Sequence, residues 1–152
     1  MQIYSIGHSN HPAERFADLL RRHGIRQLAD LRSKPASRYV PQFNRAALQA
    51  LLDRAGIDYR WFGESLGGKP RAVEPDFQHG ITALIDWAAQ GPTAMMCAEA
   101  DPRHCHRTHL VTPALLLRGV SVVHIQADGA LLPHDALQHE KIAARPQLDL
   151  FS

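Results

Sequence analysis

Cysteine, aromatic residues and long apolar segments are all scarce in this chain of 152 residues. Two cysteines, Cys97 and Cys105, are too few for the disulfide framework of a small secreted domain. No apolar run approaches the ~20 residues that span a bilayer, so we expect no transmembrane helix and no membrane partner. The first residues lack the basic and apolar regions of a signal peptide, which favours a cytoplasmic protein.

Motifs of the common nucleotide-dependent and hydrolytic enzymes are also missing. Neither GxxxxGK[ST] nor GxGxxG occurs, so ATP or GTP hydrolysis and dinucleotide binding have no support. A GxSxG nucleophile motif is missing as well. The histidines follow no metal-ligand spacing, and the sequence therefore predicts no metal site and indicates no particular cofactor.

The net charge of +2 conceals a basic middle segment. Residues 32–71 contain eight lysines and arginines against three acidic residues, whereas residues 72–152 contain five against nine. A basic segment favours an anionic partner such as nucleic acid, although an ordinary solvated surface explains the same charges. Tyr39 or Phe43, in the same segment, could stack on a base.

Short apolar stretches alternate with amphipathic helical patterns along the chain. We predict strands over 3–6, 25–31, 57–62, 93–98 and 120–125, and helices over about 12–23, 44–55, 77–88 and 106–118. Pro113 should kink the last helix or delay its start. The alternation indicates an α/β fold over residues 1–139, a single three-layer domain with a mostly parallel central sheet flanked by helices. Residues 140–152 lack periodicity and are predicted to form a flexible tail.

Polar residues follow the first two predicted strands, at the sheet edge where α/β proteins bind ligands. His8 and Ser9 lead into a helix, so their turn could present backbone N–H groups to an anion. A simple helix cap formed by Ser9 or Asn10 is the alternative. Arg32 and Arg38 follow the second strand and suit phosphate, and Asp30 could orient Arg32 or accept a proton.

Two thiols and a carboxylate follow the fourth predicted strand. Cys97 ends the strand, and Cys105, His106 and Arg107 open the next helix. A helix N-terminus and neighbouring cations favour a thiolate, which makes Cys105 the candidate nucleophile or redox thiol and Cys97 a buried or supporting thiol. Glu99 would serve as general acid or base. A zinc site built from both cysteines and a histidine is one alternative, and a purely structural loop is another.

These segments together resemble a known family. The residues that carry the resemblance are Tyr4-Ser5-Ile6-Gly7-His8-Ser9, Asp30-Leu31-Arg32 with Pro35, Ser37 and Arg38, Leu66-Gly67-Gly68, and Cys97-Ala98-Glu99 with Cys105-His106-Arg107. In this order, over residues 3–125, they are similar to domain-of-unknown-function family 488. The resemblance implies a compact α/β domain. It supplies no reaction, because the family lacks an assigned one.

The end of the tail, Gln147-Leu148-Asp149-Leu150-Phe151, is similar to the pentapeptide by which bacterial replication and repair proteins bind the DNA polymerase sliding clamp. Leu150 and Phe151 would fill an apolar pocket of the clamp, and Leu148 would make a shallower contact. Gln147 would hydrogen-bond at the rim, giving a transient complex. The alternative is that these side chains pack on the domain's own core or in an oligomer.

We therefore predict a DNA repair or DNA-modification protein, an enzyme that acts on nucleic acid and is recruited by the sliding clamp. One alternative is a thiol-dependent transferase or phosphatase-like enzyme that acts on a small anionic substrate. The other is a non-enzymatic adaptor that binds DNA and the clamp. The predicted catalytic residues are Cys105, Glu99, Cys97, His106 and Asp30. The predicted substrate-binding residues are His8, Ser9, Arg32, Arg38 and Arg107.

Overall fold

The computed structural model describes residues 1–67, 75–105 and 107–140 of the chain. Its strands are β1 (Gln2–Gly7), β2 (Gln27–Asp30), β3 (Asp58–Trp61), β4 (Thr93–Cys97), β5 (Ser121–Ile125) and β6 (Leu131–Pro133). Its α-helices are α1 (Ala13–Arg22), α2 (Arg45–Ala55), α3 (Gly63–Leu66), α4 (Pro75–Ala88), α5 (Thr112–Leu117) and α6 (residues 134–140). No helix within these ranges has both the length and the apolar character needed to cross a bilayer.

One sheet contains these strands in the order β3-β2-β4-β1-β5-β6. Every neighbouring pair is parallel except β5 and β6, which form an antiparallel hairpin. Gly7 at the end of β1 lies opposite Cys97 at the end of β4, and Asp30 at the end of β2 lies opposite Met96. The last residues of three strands that are distant in sequence therefore meet at one edge of the sheet.

Two apolar cores cover the two faces of the sheet. Helices α1 and α2 pack on one face, where Phe16 is fully buried, and α4 and α5 pack on the other, where Phe77 is buried. Met96 of β4 faces the first core and Met95 the second, because successive strand residues point to opposite faces. The predicted α/β class with three layers is therefore confirmed.

The stretch from Arg107 to Leu117 forms a helix in two parts. Arg107–Val111 is a π-helical turn, and regular α-helix begins only at Thr112, with Pro113 in its first turn. Pro113 has no N–H to donate, and in a regular α-helix its ring would clash with the carbonyl of His109, four residues earlier. A wider turn removes this clash. The delayed helix start predicted from Pro113 is confirmed.

Candidate functional site

The loops at the carboxyl edge of the sheet leave toward opposite helix layers. Strands β1 and β2 lead into α1 and α2 on one face, whereas β4, which lies between them, leads toward α5 on the other face. Neighbouring strands whose connections part in this way leave a crevice beyond their ends, and open α/β sheets bind ligands in such a crevice.

A cavity of about 370 Å³ occupies this crevice. Its lining includes five of the predicted site residues: His8, Arg32, Cys97, Glu99 and Cys105. They come from the end of β4 and from the loops after β1, β2 and β4. The parallel register of these strands brings the three loops together, although the residues are separated by up to 97 positions in the sequence.

Three other predicted site residues, Asp30, Ser9 and Arg38, are not in the lining of this cavity. Asp30 is fully buried, and Arg38 is exposed. Ser9 is half-buried and does not cap α1, because the N-cap residue of that helix is Pro12. His106 lies outside the described residues, and so does the side chain of Arg107.

Arg32 and Asp30 form a buried ion pair at the cavity wall. Nε and Nη2 of Arg32 each donate to one carboxylate oxygen of Asp30, both at 2.9 Å. The side chains are 7% and 0% exposed, respectively. Because Arg32 lines the cavity and Asp30 does not, the carboxylate orients the guanidinium toward the cavity. The sequence leaves two roles open for Asp30, orienting Arg32 and accepting a proton. This arrangement fits the first.

Two aromatic residues of β3 hold this ion pair from the neighbouring strand. The hydroxyl of Tyr59 donates to Oδ2 of Asp30 at 2.6 Å, and Nε1 of Trp61 donates to the carbonyl of Arg32 at 2.7 Å. Burial and the hydrogen bond to Asp30 raise the pKa of Tyr59, so its hydroxyl stays protonated as a donor. Neither residue was predicted from the sequence. The signal that could have found them is the alternation of aromatic and charged side chains along β3.

His8 contacts the guanidinium at a third nitrogen. Its Nδ1 donates to the carbonyl of Ser9 at 2.7 Å, which leaves Nε2 as the acceptor for Nη1 of Arg32 at 3.4 Å. The ring is buried and stacks on Phe43 with centroids 4.7 Å apart. Of the five guanidinium N–H bonds, the two that remain have no partner among the described residues. They are available to an anion in the cavity.

Cys97 and Cys105 lie side by side in the cavity wall. Their Sγ atoms are 2.6 Å apart and are not joined by a disulfide bond. Cys105 is 3% exposed, whereas Cys97 is half-buried. The sequence predicted Cys97 as a buried or supporting thiol. Cys97 is not buried, because it ends its strand at the crevice, whereas the following loop turns Cys105 inward.

Hydrogen bonds within the loop between the two cysteines fix its shape. Asp101 accepts from the backbone N–H of Arg103 at 2.9 Å, and this bond is the largest cause that lowers the pKa of Asp101. Glu99, exposed at the cavity rim, accepts from the backbone N–H of Asp101 at 3.1 Å. Arg103 also binds both carboxylate oxygens of Glu140 in α6, at 2.9 and 3.0 Å. The loop is therefore tied both to itself and to α6.

Two glycines allow backbones to meet at the site. A Cβ atom at Gly7 would lie 1.8 Å from the carbonyl oxygen of Glu99, and one at Gly63 would lie 1.9 Å from the carbonyl oxygen of Arg32. Two backbone hydrogen bonds of 2.9 Å join the loops after β1 and β4 at the same place. Only glycine permits these approaches, so the cavity walls depend on both positions.

Cations and an exposed aromatic ring lie in the segment after β2, several residues of which line the cavity. Lys34 lines the cavity and is exposed. The guanidinium of Arg38 lies 5.6 Å from the ring centroid of Tyr39, whose side chain is exposed to 84%. Arg45 lies over Trp61 at 5.2 Å. The basic segment found in the sequence thus supplies positive charge at this edge of the sheet.

The cavity also contains residues that sequence reasoning did not select. His104 lines it from the loop before Cys105, and its ring lies 3.7 Å from the carboxylate of Asp101. Val40 and Leu110 add apolar surface. Within the described ranges, no three His, Cys, Asp or Glu side chains are grouped so that they could hold a metal ion.

Comparison with known proteins places the chain in a family. The family model described as domain of unknown function DUF488 matches residues 12–73 and 69–113, together about two thirds of the chain. The matched range includes Arg32 and both cysteines. No curated protein and no solved structure is significantly similar to the chain. The chain therefore belongs to the DUF488 family, as the sequence motifs predicted.

Proposed function

We propose that this protein is a cytoplasmic, thiol-dependent enzyme that acts on nucleic acid in DNA repair or DNA modification. One observation carries the proposal: two cysteine thiols and the buried guanidinium of Arg32 line the same cavity. A thiolate is a nucleophile, and a guanidinium fork binds phosphate. The site thus combines a reactive group with a group that recognises an anion.

Each side chain of the cavity has a role in this proposal. Arg32 binds a phosphate through its two remaining N–H bonds, held in place by Asp30 and His8. Cys97, the more exposed cysteine, attacks an electrophilic atom of the substrate as the thiolate. Glu99 at the rim takes the proton of the Cys97 thiol and passes it to the leaving group, which departs with the bonding electron pair.

The charged and aromatic residues after β2 support the proposal that the substrate is nucleic acid. Lys34 and Arg38 supply exposed positive charge, and Tyr39 presents its ring to solvent. Proteins that bind single-stranded nucleic acid usually place positive charge along the phosphate backbone. They combine it with an aromatic ring on which a base can stack. A large exposed ring contributes nothing to the domain's own core, which favours a role in binding.

The first test measures binding of a fluorescent single-stranded DNA oligonucleotide by anisotropy at fixed salt. We expect Arg38→Gln combined with Tyr39→Ala to raise the Kd about tenfold or more, because one stacking contact and one phosphate contact are lost. Arg26→Gln is the control, since Arg26 is exposed and lies just before β2, at the opposite edge of the sheet. An equal loss in the control, or no binding by the wild type, would reject nucleic acid as the substrate.

A small anionic substrate is the second candidate, and the enclosed position of Arg32 in a cavity of about 370 Å³ favours it. Alkylation of Cys97 by iodoacetamide separates the two candidates. Slower alkylation with the oligonucleotide supports nucleic acid, whereas slower alkylation with inorganic phosphate alone supports the small substrate. Oligonucleotide binding that leaves alkylation unchanged points to the adaptor instead.

We further propose that the bacterial sliding clamp recruits this protein through residues 147–151, which lie outside the described residues. The leading Gln147 and the spacing of Leu148, Leu150 and Phe151 support this proposal. We expect Leu150→Ala combined with Phe151→Ala to abolish binding to a purified clamp in surface plasmon resonance, because both anchors are lost. Leu117→Ala, which truncates a leucine exposed to 90% in the folded domain, is the control and should leave binding unchanged. Equal binding by the double variant and the wild type would reject recruitment.

A further inference from the structure

We propose that Cys97 and Cys105 act as a dithiol that reduces disulfides and closes into an intramolecular disulfide. This activity goes beyond the proposed function and does not depend on it. The two sulfur atoms are 2.6 Å apart, so they need to approach by only about half an ångström to reach the ~2.05 Å of a disulfide bond. The chain contains no other cysteine, so an intramolecular disulfide can form only between these two.

The surrounding backbone holds the two cysteines in this position without a covalent link. The backbone N–H of His8 donates to the carbonyl of Cys97 at 2.9 Å, which fixes the end of β4 against β1. The carbonyl of Cys105 accepts from the backbone N–H of His109 at 3.3 Å, in the π-helical turn. Because both ends of the loop are anchored, closing the disulfide requires little loss of conformational entropy.

The difference in exposure indicates which of the two thiols reacts first. Cys97 is half-buried, whereas Cys105 is 3% exposed. A disulfide that enters the cavity therefore meets the sulfur of Cys97 first, and Cys105, 2.6 Å away, is close enough to attack that sulfur. Cys97 is the attacking cysteine in this proposal, and Cys105 is the resolving cysteine.

The reaction has two steps that balance in atoms and electrons. The thiolate of Cys97 attacks one sulfur of a low-molecular-weight disulfide, forms a mixed disulfide and releases the first thiolate. The thiolate of Cys105 then attacks the sulfur of Cys97 and releases the second. The substrate disulfide gains two electrons and becomes two thiols, and the protein dithiol loses two electrons and becomes a disulfide. The two thiol protons go to the released thiolates.

Oxidation would also remove the sulfur nucleophile from the cavity. A disulfide between Cys97 and Cys105 leaves no thiol in the chain, so the oxidised protein has no sulfur nucleophile. This consequence, unlike the exchange itself, rests on the proposed function. It predicts that a reductant restores any thiol-dependent activity that oxidised glutathione removes.

The test incubates the reduced full chain with oxidised glutathione, quenches with acid and measures the intact mass. For the wild type we expect the loss of two hydrogens, no bound glutathione and full reversal by dithiothreitol. Cys105→Ser should accumulate one glutathione on Cys97, because the resolving thiol is gone. Cys97→Ser should react at least about tenfold more slowly, because its remaining thiol is buried.

Three outcomes would overturn the proposal. They are a wild type that carries two glutathiones, a wild type that stays fully reduced, and a Cys97→Ser variant that reacts as fast as Cys105→Ser. Circular dichroism of both variants shows whether they fold, and the wild-type mass result stands without them. Oligonucleotide binding is measured separately, so failure of the exchange and failure of the proposed function give different results.

Discussion

Replacing Asp30 with asparagine should lower the free energy of unfolding by about 3 kcal/mol or more. The substitution keeps the shape of the side chain but removes its charge, and so leaves the guanidinium of Arg32 without a counter-ion at 7% exposure. At this exposure, water can solvate only a small part of the charge. Tyr59 would also lose its charged acceptor. Urea denaturation followed by circular dichroism measures the change.

Two further variants make this result specific to the buried pair. Asp18→Asn removes the carboxylate of an exposed pair with Arg21, whose side chains are 63% and 47% exposed, and should change the free energy of unfolding by less than about 1 kcal/mol. Arg32→Met on the Asp30→Asn background should recover part of the lost stability, because the uncompensated buried charge is removed. A loss as small as that of Asp18→Asn would contradict the buried ion pair.

Replacing Gly7 with alanine should separate the two cysteines and destabilise the fold by about 3 kcal/mol. The added Cβ would lie 1.8 Å from the carbonyl oxygen of Glu99 and 2.6 Å from Cα of Ala100. Both atoms belong to the backbone, so no side-chain rotation relieves the clash and the loop must move. Displacement of this loop shifts Cys97 relative to Cys105. We therefore also expect slower closure of the intramolecular disulfide, with the glutathione adduct accumulating.

Gly91→Ala is the control for this prediction. A Cβ atom at Gly91 meets only the amide end of Gln27, at 3.3 Å, and a side-chain amide can shift. The change in the free energy of unfolding should stay below about 1 kcal/mol, with disulfide closure at the wild-type rate. A Gly7→Ala protein with wild-type stability and closure rate would show that the loops after β1 and β4 are not in direct contact.

Much of the fold follows from local patterns that can be read in the sequence. Strand β4 was predicted over residues 93–98 because its residues are almost all apolar, and it is buried between both helix layers. Strand β6 was missed, since three residues that end in Pro133 are too few to show an alternation. Helix α2 lies within the predicted range 44–55, but the side-chain oxygen of Asn44 accepts from the backbone N–H of Ser37 and does not cap the helix.

The candidate site was only partly predictable for a different reason. Residues with reactive or charged side chains could be selected by type at the ends of the predicted strands. This selection found His8, Arg32 and the cysteines. Tyr59, by contrast, acts on Asp30 from the neighbouring strand, 29 positions away. No local pattern contains that contact, because it depends on which strands are neighbours in the sheet.

The sequence by itself determined the class of fold, the family motifs and the residue types available at the carboxyl edge of the sheet. Hydrophobic periodicity and strand-end composition are local properties, so they can be read without knowledge of the fold. The tertiary structure alone decided that β4 lies between β1 and β2, and hence that the thiols share a cavity with Arg32. It also decided which cysteine is exposed. Strand order and burial result from packing two helix layers on one sheet, and that packing depends on the whole chain at once.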